Sequence, residues 1–226
     1  MNAILIETSA ATCSAALVAN NKIIKSFRSN EQMQHAVHLP VFVQEAMQIA
    51  RDEGIEIDAV AVSGGPGSYT GLRIGVSTAK GLCYALGAKL VAVNTLSLIA
   101  LEFTATHSDI PADAMVVPMI DARRMEVFTQ PFSKDATPLG EAEAKIIDAN
   151  SFADSNKPLY LCGSGAAKCS VVINTNVRII SDVNPVANEN MLRIAAEAFE
   201  KEQFEDVAYY EPFYLKEFYT TAKIDQ

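Results

Sequence analysis

Short apolar runs alternate with longer stretches of helical periodicity along the first half of the chain. Ala3 to Ile6 is a continuous apolar run, the pattern of a buried strand. Ala15 to Val18 and Ile23 to Phe27 follow, separated by Asn20-Asn21, and asparagine tolerates the torsions of a hairpin turn. From Gln34 to Arg51, Val37, Val41, Ala46 and Ile49 recur at near-helical spacing, and Leu39, Phe42, Val43 and Met47 form a second stripe. A helix with two apolar faces packs on a sheet and on something else besides. Pro40 either kinks this helix or marks its first turn, and Gly54 is placed to end it. Ala59 to Val62 reads as the fourth strand. Leu72 to Leu86 reads as a helix with Leu72, Val76, Ala79 and Cys83 on one face and a small flank at Ile74, Gly75 and Thr78. Leu90 to Val93 is the fifth strand, and Asn94 caps a helix over Thr95 to Thr106. A meander followed by strand, helix, strand, helix predicts an α/β lobe with a mixed five-stranded sheet.

The pattern pauses at His107-Ser108-Asp109-Ile110-Pro111 and restarts, which divides the chain into lobes at 1–108 and 109–226. Met115 to Ile120 and Met125 to Gln130 read as strands joined by Asp121-Ala122-Arg123-Arg124. Glu141 to Ala144 and Ser151 to Ser155 each read as the start of a short helix. Leu159 to Cys162 is another strand, Val177 to Ile180 a late one, and Asn188 to Phe199 a helix. Val207 to Tyr214 is aromatic, contains Pro212 and reads as docked extended chain. Lys216 to Gln226 reads as a frayed or partner-recruited end.

Composition narrows the function classes. The chain has 226 residues, half of them apolar, and a net charge of −9 with pI ≈ 4.8. Strong binding of naked nucleic acid needs basic surface, so any contact with RNA is expected through a partner. No apolar run is long enough to span a membrane, and the start reads as a core strand and not as a leader, so a cytoplasmic protein is expected. Cys13, Cys83, Cys162 and Cys169 form no CxxC pair and read as buried reduced thiols.

The stretch richest in candidate chemistry is Gly64-Gly65-Pro66-Gly67-Ser68-Tyr69-Thr70-Gly71-Leu72-Arg73-Ile74-Gly75, a glycine turn between strand and helix. Unpaired N–H groups at the helix start can face an anion. The spacing is neither a dinucleotide fingerprint nor a P-loop, and it carries no lysine. The plainer reading is a tight turn that brings the helix close to a sheet or to a partner. Glu7, Gly67, Asp121, Gly163 and Gly165 are the positions where a phosphate or metal site of a two-lobed phosphotransferase would fall. The plainer reading of Asp121 is a turn cap, with Arg123 or Arg124 as its partner. His35 and His38 lie three apart, a spacing that can contribute to a zinc site with Glu31, Glu45 or His107 as a third ligand. The surplus apolar surface of the two helices between Gln34 and Leu86 reads as an interface.

Taken together, the segments resemble the bacterial TsaB family. The matching pieces are Ile6-Glu7-Thr8-Ser9, His35 with Leu39-Pro40, the Gly64 to Gly75 stretch, Lys80-Gly81-Leu82, Val93 to Leu96, Ile120 to Phe128, and Tyr209 to Leu215. The resemblance implies a two-lobed actin-like fold, shared with sugar kinases and Hsp70, with a reduced second lobe. It implies a non-catalytic subunit that supports a TsaD-like catalytic subunit and a TsaE-like ATPase. Their complex transfers a threonylcarbamoyl group to N6 of adenosine 37 in tRNAs reading ANN codons. ATP and Mg or another metal are expected on the partners and none on this chain; tRNA is reached through the complex, and a homodimer is expected when the chain is alone. His38, Val41, Gly71, Arg73, Ile74, Gly75 and Thr78 are expected to shape the docking face. Glu7 stands where many relatives carry Asp, which weakens a metal role. The rival expectations are a stand-alone ATP-dependent kinase or transferase of the same fold, and a glycoprotease-like metallohydrolase.

Overall fold

The computed structural model describes residues 1–31, 34–174 and 177–216, with the backbone alone over 178–181. The residues of the Lys216 to Gln226 expectation beyond Lys216 lie outside that description. The first lobe holds β1 (Ala3–Glu7), β2 (Cys13–Ala19), β3 (Lys22–Ser29), α1 (His35–Asp52), β4 (Ala59–Gly65), α2 (Tyr69–Leu86), β5 (Lys89–Asn94) and α3 (Thr95–Thr106). Its strands run in the order β3-β2-β1-β4-β5. The meander is antiparallel, and β4 and β5 join it in parallel through crossovers that carry α1 and α2. Asn20 and Asn21 both take positive φ at the β2–β3 turn, as the hairpin requires.

Strand alternation sorts the core into two layers. Ile4, Ile6, Val60, Val62 and Leu90 face α1 and α2, while Leu5, Ala61, Val91 and Val93 face the opposite side. The two stripes of α1 separate accordingly. Leu39, Val43, Ala46 and Ala50 are buried on the sheet, and Val37 and Val41 are turned outward. Pro40 lies inside α1. α2 starts on Ser68, whose hydroxyl accepts the Gly71 N–H, and ends on Gly87 in the left-handed conformation.

The second lobe holds β6 (Met115–Asp121), β7 (Glu126–Thr129), β8 (Glu143–Ile146), β9 (Leu159–Cys162), α4 (Ala166–Ser170) and β10 (Val177–Ser181), with sheet order β10-β9-β6-β7-β8. Two expected short helices are absent there. Glu143 to Ile146 pairs antiparallel with β7 as an edge strand, and Asn150 to Asp154 forms successive turns. The local sequence of β8 is neutral, and the free edge of β7 decides its state.

The chain then leaves that lobe. α5 (Glu189–Glu200) places Met191, Leu192 and Ala195 against Leu5, Val18 and Val93 of the first sheet. Glu205 bridges to Leu90, and the Phe213 N–H donates to Gly64 O at 2.7 Å. The expected second lobe, 109–226, is therefore smaller than drawn, because residues from α5 onward return to the first. The physical reason is the second apolar face of that sheet, which α3 alone does not cover. α3 itself is buried on nearly every side: Leu98 packs toward α5, while Leu96, Ile99 and Phe103 pack on Val116, Phe132 and Tyr160 of the second lobe.

The glycines of the turn are explained by close approach. A Cβ at Gly67 would lie 2.6 Å from Ser9 O, and at Gly71 or Gly75 it would strike Thr8 O or Thr8 Oγ1. On the other side, a Cβ at Gly64 would meet the Tyr210 hydroxyl, and at Gly65 it would lie 2.5 Å from Phe213 O. Gly81, also in α2, has open space around its Cβ position. Gly71→Ala is expected to destabilise the chain by about 1–3 kcal/mol, since backbone would have to move. Gly81→Ala is expected to stabilise it by about 0.5–1 kcal/mol. Urea midpoints of the two variants would show the opposite signs; two equal shifts would refute the packing account.

Candidate functional site

A cleft of about 550 Å³ opens between the lobes. The β1–β2 loop (Ser9, Ala10, Ala11) and the start of α2 (Gly67, Ser68, Thr70, Gly71) form one wall. Ile120, Asp121 and Ser164 form the other, Ile99 of α3 lies between them, and Val183 to Pro185 completes the rim. The ends of β1 and β4 meet here because both strands run in parallel to the same edge of the sheet, where α/β folds gather their sites.

The first wall is held by the chain itself. Ser68 N–H donates to Ser9 O at 2.7 Å, Leu72 N–H to Ser68 O at 2.8 Å, and Thr8 Oγ1 donates to Gly71 O at 2.8 Å. The chain itself thus occupies the Ser68 N–H and the Thr8 hydroxyl, and Ser68 Oγ takes the Gly71 N–H. Under this wall lies Glu7, fully buried, with Oε1 accepting both the N–H and the hydroxyl of Ser9 at 2.6 Å. Burial pushes its carboxyl up to about 7, against the pull of the Ser9 hydroxyl and the N–H groups of Ser9 and Ala10. Its charge also raises the buried Cys13 thiol, already lifted by desolvation, to about 11.

Asp121 sits at the end of β6. Its Oδ1 accepts the Arg123 N–H at 2.7 Å and the Lys168 ammonium at 2.6 Å, and its own N–H donates to Ser164 Oγ. Burial opposes ionisation, but Lys168 and the Arg123 N–H outweigh it, and the carboxyl lies below its ordinary value. The turn-cap reading of Asp121 holds; the expected arginine partner does not. Lys168 reaches it from α4, and it also caps Arg124 O and Glu126 O at 2.7 and 2.8 Å. Glu126 pairs with Lys216 at 2.6 Å. Neither lysine is near its partner in sequence, so only their charge pointed to a role.

Of the other expected site residues, His35, Gly71 and Ile74 also line the cleft, and the rest fall elsewhere. Gly163 and Gly165 do not form a second phosphate loop: their Cβ positions lie 2.7 Å from Met119 O and Val127 Cγ1, and they let the five-residue α4 fold onto β6. His35 and His38 do not converge. His35 Nε2 lies 2.9 Å from Ala10 O, and His38 Nε2 lies 3.2 Å from Glu31 and stacks on Phe42. Among the described residues no three His, Cys, Asp or Glu side chains are grouped to hold a metal. All four cysteines are buried and unpaired. Gly71 and Gly75 are buried against Thr8 and are not surface. Val41 is on the outer face of α1; Arg73 is exposed on α2, and Ile74 and Thr78 are half-buried. Arg73 stacks over the Tyr69 ring at 4.1 Å and donates to Tyr214 Oη at 3.3 Å. Lys80 donates to Ala208 O and Tyr210 O. The C-terminal segment thus straps α2.

Glu7 gives the fold a pH dependence. Its folded-state value of about 7 exceeds the ordinary 4.5, so the neutral form is favoured by folding. Its contribution is complete below the unfolded value and is lost as pH rises through the folded one. Glu7→Gln, neutral at every pH, is expected to flatten the decline in stability between about pH 5 and about pH 8. Parallel slopes for the two proteins in chemical denaturation would contradict this.

Comparison with known proteins fits this architecture. Residues 23–154 match the family model described as TsaD: tRNA N6-adenosine threonylcarbamoyltransferase. The chain is 31% identical over 129 residues to the tRNA threonylcarbamoyladenosine biosynthesis protein TsaB of Bacillus subtilis, an alignment of 57% of this chain and 54% of that protein. With the Escherichia coli protein of the same description it is 26% identical over 224 residues, 96% of this chain and 95% of the other. The solved structure of YeaZ from Pseudomonas aeruginosa superposes with a TM-score of 0.78 over 95% of this chain and 99% of that one, at 24% identity. The fold is the two-lobed, actin-like α/β fold with a mixed five-stranded sheet. By the family model and these relatives, the chain belongs to the tRNA N6-adenosine threonylcarbamoyltransferase family, among its bacterial TsaB/YeaZ members.

Proposed function

We propose that this chain is a non-catalytic, supporting subunit of the machinery that transfers a threonylcarbamoyl group to N6 of adenosine 37 in tRNAs reading ANN codons. The reading rests on the family match and on one structural observation. The outer face of α1 leaves Val37 and Val41 62% and 47% exposed on a helix whose other face is fully packed. Apolar side chains in a row on an otherwise acidic surface mark a protein contact. The occupant is a TsaD-like transferase subunit, with a TsaE-like ATPase in the same assembly. The same face serves a homodimer when the partner is missing. His38, Ile74, Arg73 and Thr78 border it; Gly71 and Gly75 act only by setting how closely α2 lies on the sheet.

ATP and the metal belong, in this reading, to the partner subunits. The cleft lining contains no Lys or Arg among the described residues, and the Ser68 and Gly71 N–H groups of its first wall are bonded within the chain. Lys80 and Lys168 are engaged with carbonyls and with Asp121. These features weigh against a stand-alone kinase, and the separated histidines weigh against a metallohydrolase. The net charge of −9 leaves the grip on tRNA to a partner.

Val41→Glu is expected to weaken association with the transferase subunit by roughly tenfold or more, by placing a charge in the contact. Its circular dichroism and urea midpoint are expected to stay unchanged, since the site is exposed. Gel filtration of the mixture, followed by a tRNA modification assay with and without this chain, checks both parts. Co-elution unaffected by the substitution would sink the α1 face, and transfer by this chain alone would sink the supporting role.

A further inference from the structure

Behind the cleft, on the α3 and α5 side of the first sheet, the polar residues of four adjoining elements line up. Ser14 of β2 is the registered partner of Glu7 of β1. Ile6 pairs with Val62, which sets Ser63 of β4 beside Glu7. Ser63 pairs with Val93 of β5, and Thr95 opens α3 one pair further on. Alternation puts Glu7, Ser14 and Ser63 on one side, and Thr95 follows Val93 by two residues at the start of α3: Leu5, Ala61, Val91 and Val93 face that core, and Ser14 Oγ accepts the Ala187 N–H there at 2.9 Å.

Ser14 is satisfied, but its neighbours are not. Glu7, Ser63 and Thr95 are all 0% exposed, yet Glu7 Oε2, Ser63 Oγ and Thr95 Oγ1 have no hydrogen-bond partner among the described residues. An isolated buried oxygen of this kind costs about 1–3 kcal/mol. Three on adjoining positions are a recurrent sign of internal solvent, which typically bonds about three buried polar groups at once. A direct bond between the hydroxyls and the carboxyl is not formed, so the oxygens stand apart.

We propose that Glu7, Ser63 and Thr95 bind one internal water molecule, and that Glu7 holds its proton on the Oε2 oxygen that faces it. The position of the proton follows from the other oxygen. Oε1 already accepts two hydrogen bonds from Ser9, the pattern of an unprotonated carboxyl oxygen. Oε2–H then needs an acceptor. A water accepts from it and donates to the two hydroxyls, which rotate to suit. When the carboxyl ionises, the same water turns and donates to Oε2. The site accommodates both states, in keeping with a carboxyl raised by burial to about 7. Through Ser9, whose carbonyl holds the Ser68 N–H, this water supports the floor of the cleft and joins β1, β4 and α3 beneath it.

A crystal structure of the full chain at about 1.5 Å or better tests the site. One ordered solvent peak within hydrogen-bond distance of all three oxygens is expected, and it should vanish in Ser63→Ala combined with Thr95→Val. Absence of the peak, or direct contact of a hydroxyl with Oε2, overturns the proposal. So does an anomalous peak there after a rubidium soak, which would make the ligand a monovalent cation. Infrared spectra of the unmodified chain at about pH 6 give the second readout. A protonated-carboxyl band that shifts in D₂O and is lost in Glu7→Gln is expected; a band unchanged by Glu7→Gln places the proton elsewhere and overturns that half.

Discussion

The first lobe depends on one close approach. The turn after β1 lies directly on the first two turns of α2, with Thr8 and Ser9 filling the space that side chains at 67, 71 and 75 would take. This contact fixes the height of α2 above the sheet, and the backbone bonds Ser68 to Ser9 and Thr8 to Gly71 seal it. The cleft wall, the packing of α1 beside α2 and the seat of the C-terminal strap are all measured from that helix. Small residues here serve the interior of the chain.

The second organising element is α3, an apolar helix wedged between two sheets. It belongs to both cores, so the lobes share buried surface and are not loosely linked. The C-terminal chain adds a second tie. It crosses from α5 over β4 and α2 and reaches the second lobe at the Lys216–Glu126 ion pair. An exposed pair of this kind contributes little by itself. The bonds from Lys80 and Phe213 upstream of it, and the aromatic contacts of Tyr214, are what seat the strap.

The acidic groups at the cleft serve the fold. Glu7 beneath it is raised by burial to about 7, and Asp121 is spent on a turn. The Asp121 network supports two successive left-handed residues, Arg123 and Arg124, at the β6–β7 hairpin, a conformation that costs non-glycine residues about 1–2 kcal/mol each. Here the polar groups stabilise shape.

Most of the elements were legible in the sequence because their signals are local. Apolar runs of four to six residues gave β1, β4, β5, β6 and β9, and Asn94 marked a helix start with its own side chain. The family was legible in the order of its motifs. What the chain could not state locally, the tertiary structure decided. β8 is a strand because β7 has a free edge; α5 lies on the first lobe because that sheet has a second apolar face; Lys168, 47 residues from Asp121, is its partner because α4 brings it there. Gly71 and Gly75 read equally well as an outer or an inner surface, since a missing side chain says that something comes close and not what. Spacing along the chain carries the period of an element. Which neighbour fills the space beside it depends on contacts between residues far apart in sequence, and those exist only once the chain has folded.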